Sequence, residues 1–308
     1  MPRAVRIDIH QHLWTEALVA ALERRSRLPF IRRDEGLCMV HLAGEVASAV
    51  DLQSERPSRR VALLERDGVD GAVIALSSPL GIEALPRAEA RPLIDAHLDG
   101  VEGLGEPFRA WGPLALEGLR RHDVDEVLER GCVGVSLPAG AFEPCSSLNS
   151  LSPVLARIEQ LDLPLFVHPG PGLGARPRES GIADPLWWPA LTRYVAQMQA
   201  AWLTFSALTR RAHPRLRVVF AMLAGGAPLL SERLAARGGP AVAIRDPHSF
   251  YDTSSYGPVA IEAMARRVGG EQLLYGSDRP VIEPFASGRE ALLSKNAGRL
   301  LDRAGVPA

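Results

Sequence analysis

Short apolar, β-branched runs alternate with helical patterns along almost the whole of this 308-residue chain, and that alternation constrains its fold more than any other feature. The runs at 5–12, 69–77, 110–116, 133–138, 164–168, 217–223, 250–254 and 272–277 read as eight strands. Helical patterns fall between them at 58–66, 124–129, 153–160, 185–211, 228–236 and 259–267, and a closing segment runs to Leu301. Eight βα units over this length predict an α/β chain folded as a (β/α)8 TIM barrel, one domain over 1–308. A doubly wound open sheet is the runner-up, but the first strand lacks the Gly-rich phosphate turn that such a fold uses. The spacing is uneven in one place, where nearly sixty residues separate the first two strands. There, Glu35-Gly36 between two alternating runs predicts a small hairpin, so that an insertion at about 13–57 caps the catalytic face.

Charge narrows the partners. Thirty-five Lys and Arg against 36 Asp and Glu leave a net charge of -1, so there is no electrostatic footprint for nucleic acid or an anionic membrane. No stretch approaches the ~18 consecutive apolar residues of a membrane span, and a strand begins where the apolar part of a signal peptide would lie. The expected location is the cytoplasm and the expected partner a small-molecule substrate. Cys38, Cys132 and Cys145 are too few and too scattered for a disulfide framework or a cysteine zinc site. Lys295 is the only lysine.

The residues that carry chemistry gather at strand ends. Alternate side chains of a strand share a side, so His10 and His12 of Asp8-Ile9-His10-Gln11-His12 can approach one cation together. Two satisfied polar groups at a strand end are the plainer alternative. His168 ends the fifth strand in Leu165-Phe166-Val167-His168-Pro169-Gly170, where alone it would anchor a loop. Asp278 closes the eighth in Gly276-Ser277-Asp278-Arg279-Pro280, where alone it would cap a helix. Together they place three imidazoles and a carboxylate at one barrel mouth, the donor set of a catalytic mononuclear site with an open position.

These motifs resemble the amidohydrolase superfamily, and more narrowly its aminocarboxymuconate-semialdehyde-decarboxylase-like branch (amidohydrolase 2). Gly131-Cys132-Val133-Gly134-Val135, Tyr251-Asp252-Thr253-Ser254 and Asn296-Ala297 add to the likeness, which covers the chain apart from 13–57. The resemblance implies one divalent metal ion, expected to be zinc, held by His10, His12, His168 and Asp278. Binuclear members typically bridge their metals with a carboxylated lysine on strand four; Lys295 lies beyond strand eight, which argues against a lysine-bridged pair.

The pattern breaks at the sixth strand. The branch usually carries a histidine before a Gly-Gly pair, and here Met222 stands in its place ahead of Gly225-Gly226. A thioether relays no proton at neutral pH. His213 and His248 precede strands and belong to the far end of the barrel; His97 reads as a solvated helix residue; His41 and His122 are on the catalytic side. Asp278 is the better candidate for proton transfer. Substrate-binding candidates are Arg279, which can fork onto a carboxylate, and Trp188 with Trp187, for which core packing is the alternative. Arg176 and Glu143 lie on loops of the same face. Ser254, Ser255 and Tyr256 can offer hydrogen bonds, and Met198 reads as packing.

The expected activity is hydrolysis of an ester, lactone or amide through a metal-bound hydroxide, with Asp278 as the catalytic residue. The alternatives are non-oxidative decarboxylation of an aromatic or muconate-like acid, and a metal-binding barrel that has lost catalysis. The helical stretch at 185–211, with its aromatic start, marks a candidate homo-oligomer surface.

Overall fold

The computed structural model describes residues 5–34, 37–143, 148–175, 184–286, 288 and 290–301. β1 (Ile7–Gln11) opens the barrel. The insertion follows with α1 (Glu16–Glu23), β2 (Phe30–Asp34), β3 (Leu37–His41) and β4 (Ser48–Val50). β2 and β3 pair antiparallel from Phe30↔His41 to Asp34↔Leu37, the expected hairpin, although its Glu35-Gly36 turn lies outside the described residues. β4 adds a third strand on the far side of β3, which the sequence pattern did not indicate because only three residues pair.

From α2 (Pro57–Asp67) onward the chain alternates as expected. It runs through β5 (Gly71–Ile74), α3 (Arg87–Glu102), β6 (Phe108–Pro113), α4 (Arg121–Glu129), β7 (Gly134–Pro138), α5 (Leu148–Gln160) and β8 (Leu165–His168). It continues through α6 (Trp188–Leu191), α7 (Arg193–Thr204), β9 (Val218–Phe220), α8 (Ser231–Ala236), β10 (Ser249–Asp252), α9 (Pro258–Val268), β11 (Leu273–Leu274), α10 (Glu290–Lys295) and α11 (Ala297–Leu301). The eight long-range strands form one parallel sheet in the order β1-β5-β6-β7-β8-β9-β10-β11. Backbone bonds from Ile9 N–H to the Tyr275 carbonyl (3.0 Å), Asp278 N–H to that of His10 (2.9 Å) and His12 N–H to that of Arg279 (2.7 Å) join its two ends. This is a (β/α)8 barrel. Its strands are buried on both faces, which is why they read as apolar runs such as Gly-Ala-Val-Ile in β5.

Parallel strands bring every C-terminal strand end to one rim. His12, His168 and Asp278 lie there because each follows or ends an apolar strand. The segment expected as one helix over 185–211 is instead broken at Thr192 and ends in a π-turn over Phe205–Thr209. Met198 is fully buried, as expected of a packing residue. Among the described residues no helix is long and apolar enough to cross a membrane.

Two buried side chains depart from the sequence reading or were not singled out by it. His97 is not on a solvated face: α3 buries it completely, and neither ring nitrogen finds a partner. Burial, with the charges of His12 and Arg130, lowers its pKa to about 3, so the ring is neutral. Glu83, between β5 and α3, is also fully buried, accepts a hydrogen bond from the Ser78 hydroxyl, and has its pKa raised to about 7 by burial. A carboxyl whose folded pKa lies above its unfolded value holds its proton longer in the native state, so stability falls as pH climbs from the unfolded value to the folded one. Glu83 is therefore expected to cost about 3 kcal/mol between pH 4.5 and 7. Glu83→Gln should flatten that slope, raising Tm at pH 8 while changing it little at pH 4.5; equal shifts at both pH values would contradict this account.

Candidate metal centre

Three imidazoles are oriented from behind by acceptors. His10 Nδ1 meets Asp252 Oδ2 at 2.7 Å, His12 Nδ1 meets the Ala75 carbonyl at 2.8 Å and His168 Nδ1 meets the Pro169 carbonyl at 2.9 Å. A carbonyl or carboxylate oxygen can only accept, so each Nδ1 carries a proton, and each ring in its neutral form presents a lone pair at Nε2. The rings stand edge-on to one another, with centroids 4.9–5.0 Å apart. His10 Nε2 and His12 Nε2 are 3.2 Å apart, and Asp278 Oδ1 lies 3.2 Å from His12 Nε2 and 3.6 Å from His10 Nε2. All four ligand atoms fall within 4.8 Å of one another.

Four acceptors facing one point repel one another unless positive charge lies between them. Burial works against a charged His10, but Asp252 and Asp278 outweigh it and raise its pKa to about 9. Burial also acts on His168, which with the charges of His10 and His12 beside it has its pKa lowered well below the ordinary range. Three neutral-nitrogen donors and one carboxylate suit a divalent cation of the zinc or manganese kind. The donor set thus fits the group that the motifs imply.

The backing of this centre is itself tightly packed. Asp252 ends β10, and its Oδ1 accepts from the backbone N–H of Ser254 (2.9 Å) and of Met222 (3.1 Å) and from the Ser254 hydroxyl (2.5 Å). Gly276 makes the His10–Asp252 contact possible: a Cβ there would come within 2.9 Å of the His10 Cβ and 3.0 Å of the Asp252 carboxyl carbon. Asp8 receives the N–H groups of His10 and Ser277, both at 3.1 Å, and so pins the first strand to the last. Gln11 links Asp8 to Arg60, which is fully buried and pairs with Glu55 at 3.4 Å.

Met222 begins a run of five consecutive left-handed residues, with φ between 50° and 76° from Met222 to Gly226. For the three that are not glycine this costs about 1–2 kcal/mol each. The Met222 N–H contacts to Asp252 and Ser254 (3.3 Å) help to hold the turn, as does the Gln199 amide on the Gly225 carbonyl (2.8 Å). Asp278 is also left-handed, at φ 60°, a conformation aspartate tolerates better than most residues.

A cavity of about 500 Å3 opens over the cluster, with His12, His168, Met222 and Asp278 in its floor and Val40, Leu42 and Glu55 of the insertion in its wall. Asp278 is buried; burial would raise its pKa, but the His12 hydrogen bond and the His10 charge prevail and lower it. Ser255 donates to its other oxygen at 3.4 Å.

Several candidate substrate-binding residues lie elsewhere. Arg279 does not face the cavity: its guanidinium is taken by Asp67 and Glu283, with bonds of 2.6–3.2 Å, and these carboxylates outweigh burial to raise its pKa. Trp188 neither packs in the core nor lines the cavity; it is 38% exposed beside Trp187, whereas Leu186 and Pro189 do reach the wall. Arg176 lies outside the described residues, and Glu143 is exposed. His41 stacks on Phe30 at 4.5 Å, and His122 is a surface side chain beside Asp125 and Glu126, so neither replaces the missing histidine.

Two contributors were missed as site residues. Asp252 belonged to a quoted motif, and a polar residue ending an apolar strand was the available signal. Glu55 had none, since only the folding of the insertion brings it over the barrel. Its carboxyl accepts from the Trp14 N–H at 2.9 Å, and burial raises its pKa.

The amidohydrolase family model matches residues 7–303, and the chain belongs to that family of metal-dependent enzymes. No curated protein sequence matches it. Among solved structures it is similar to the apo IDCase of Metarhizium anisopliae, at 17% identity over 96% of this chain and 97% of that one, TM-score 0.72. It is similar to 5-carboxyvanillate decarboxylase from Novosphingobium aromaticivorans complexed with manganese and 4-hydroxy-3-methoxy-5-nitrobenzoic acid, at 17% identity over 96% of each chain, TM-score 0.69. It is also similar to 2,6-dihydroxybenzoate decarboxylase from Rhizobium, at 16% identity over 96% and 98%, TM-score 0.65.

Elemental analysis of the purified protein should find about one divalent metal per chain, absent from a His10→Ala/His168→Ala variant. Asp252→Asn, which keeps an acceptor for the Ser254 and Met222 N–H groups, should keep the fold and weaken metal affinity about 10- to 100-fold in a chelator titration, because His10 loses its carboxylate partner. Unchanged affinity would remove Asp252 from that role.

Proposed function

We propose that this enzyme removes CO2, without oxidation, from a small carboxylic acid bound at a single divalent metal held by His10, His12, His168 and Asp278. The observation that carries the reading is the double position of Asp278, which stands in the ring of acceptors and in the floor of the cavity, so that one side chain reaches both cation and ligand. Support for decarboxylation over hydrolysis comes from the similar structures, which include two decarboxylases matched over nearly their whole length. Zinc is the metal expected from the three-histidine donor set, and manganese is the alternative suggested by the ligand complex of one of them.

When bound, the metal supplies a Lewis acid that orients the substrate's carboxylate and spreads its charge. The chain's own part is proton management. Asp278 takes a proton from solvent through the open cavity and delivers it to the carbon that bears the carboxylate; that carbon–carbon bond then breaks and CO2 leaves. Val40 and Leu42 of the insertion supply apolar surface against which the substrate can pack. Met222 contributes shape and no proton.

Hydrolysis of an ester, lactone or amide is the second reading, favoured by one specific feature. Asp278 is held as a carboxylate and the sixth strand has no imidazole, which suits accepting a proton from water better than donating one to carbon. There Asp278 would take the attacking water's proton and return it to the leaving group.

The two readings separate on products. The manganese- or zinc-loaded enzyme is expected to release CO2 from hydroxybenzoate or muconate-like acids and to leave esters, lactones and amides intact; ring or ester opening without CO2 would establish hydrolysis instead. Asp278→Asn should lower turnover by at least about 100-fold with metal still bound. Met222→His should raise CO2 release by about tenfold or more by restoring an acid at the sixth strand. A Met222→His variant that gains only hydrolysis would count against decarboxylation.

A further inference from the structure

A second cavity, of about 250 Å3, adjoins the one over the metal centre. Glu45, Pro79, Leu80 and Tyr194 belong to the walls of both. The loop after β8 connects them: His168 and Pro169 line the larger chamber, and Gly170 and Pro171 line the smaller. Three residues of extended chain span at most about 11 Å, so the smaller chamber lies within reach of a ligand seated on the metal.

The wall shared by the chambers combines Pro79 and the buried Leu80 with a polar clasp. Glu45, on the loop between β3 and β4, accepts hydrogen bonds from the Arg193 guanidinium and from the Tyr194 hydroxyl (2.6 Å), tying the insertion to α7. Beyond it the side-chain walls are aliphatic, from Leu28, Pro29, Leu80, Ala84, Leu85 and Pro171, while Gln197 and the backbone of Gly170, Gly172 and Gly174 add polar surface. Arg193 and Glu45 are the charged side chains of the smaller chamber among the described residues, and they neutralise each other. A room of this size, with aliphatic side chains and its cation already paired, suits an uncharged group better than a second carboxylate, which would find no unpaired positive charge among the described lining residues.

We infer that the substrate is bipartite: an anionic head on the metal centre and an uncharged, largely apolar tail that passes the Glu45–Tyr194 clasp into the smaller chamber. This rests on the reading that a carboxylate sits at the metal, and it adds what the rest of the molecule must be. Short dicarboxylates are poor ligands on this account, and arylalkyl monocarboxylates are good ones.

The test is calorimetric titration of the manganese-loaded protein with phenylacetate, 3-phenylpropionate, 4-phenylbutyrate and 5-phenylpentanoate, and with glutarate as the dicarboxylate. Affinity should rise at least tenfold from the shortest to the longest aryl acid, with glutarate weakest. Chain lengthening alone adds some hydrophobic affinity anywhere, so two variants supply the control. Ala84→Trp fills the smaller chamber from the barrel side, and Leu28→Trp fills it from an exposed position of the insertion where folding is not at stake. Each should abolish the gain with length and leave phenylacetate binding unchanged. Metal-dependent phenylacetate binding with a length dependence that both tryptophans leave intact would overturn the two-chamber inference alone. Binding indifferent to manganese for every acid would overturn the carboxylate-at-metal reading, and the inference with it.

Discussion

The buried 2.7 Å contact between His10 Nδ1 and Asp252 is the interaction on which the rest of the centre depends. It selects the tautomer that turns the His10 Nε2 lone pair toward His12, His168 and Asp278. Its carboxylate also reaches across the rim to the Met222 N–H, so a single side chain couples the first, sixth and seventh strands of the barrel. Gly276 on the eighth strand completes the arrangement by leaving no side chain between them. The contact is worth having only if the four converging acceptors are offset by positive charge, and the centre therefore reads as built around a cation.

Strain is concentrated at the same rim. The left-handed run from Met222 to Gly226 and the left-handed Asp278 both follow C-terminal strand ends; Met222 and Asp278 face the cavity, while Leu223 and Ala224 turn into the core. Such conformations persist where the surroundings over-determine them, and here Asp252, Ser254 and Gln199 hold the turn from three sides. Met222 begins this turn and shares the cavity floor with Asp278. A methionine where the pattern carries a histidine is the main feature that distinguishes this chain from the pattern it resembles.

The insertion converts an open barrel mouth into a pair of chambers. Its strands supply aliphatic wall, its Glu55 is locked by the buried Arg60, and its Glu45 is clasped by α7. The cavity floor is formed by His12, His168, Met222 and Asp278, and the wall from the insertion by Val40, Leu42 and Glu55. Arg279, placed next to Asp278 in the chain, shows how little adjacency guarantees: a left-handed residue turns the chain, and Asp67 and Glu283 take the guanidinium away from the cavity.

What the sequence determined by itself was the architecture and the gathering of three histidines and an aspartate at one rim. Parallel strands buried on both faces must be apolar, so all eight were visible as runs, and a histidine or aspartate that ends such a run can lie only at the rim. His10, His12, His168 and Asp278 were legible for that reason, and so was the loss of the sixth-strand histidine. Tertiary structure alone decided the burial of His97, the orienting role of Asp252, the reach of Glu55 and the withdrawal of Arg279 and Trp188 from the cavity. Each of these depends on which distant groups lie within a few ångströms. Local periodicity carries the direction a side chain leaves its strand, but not the charges and walls that other segments bring to meet it.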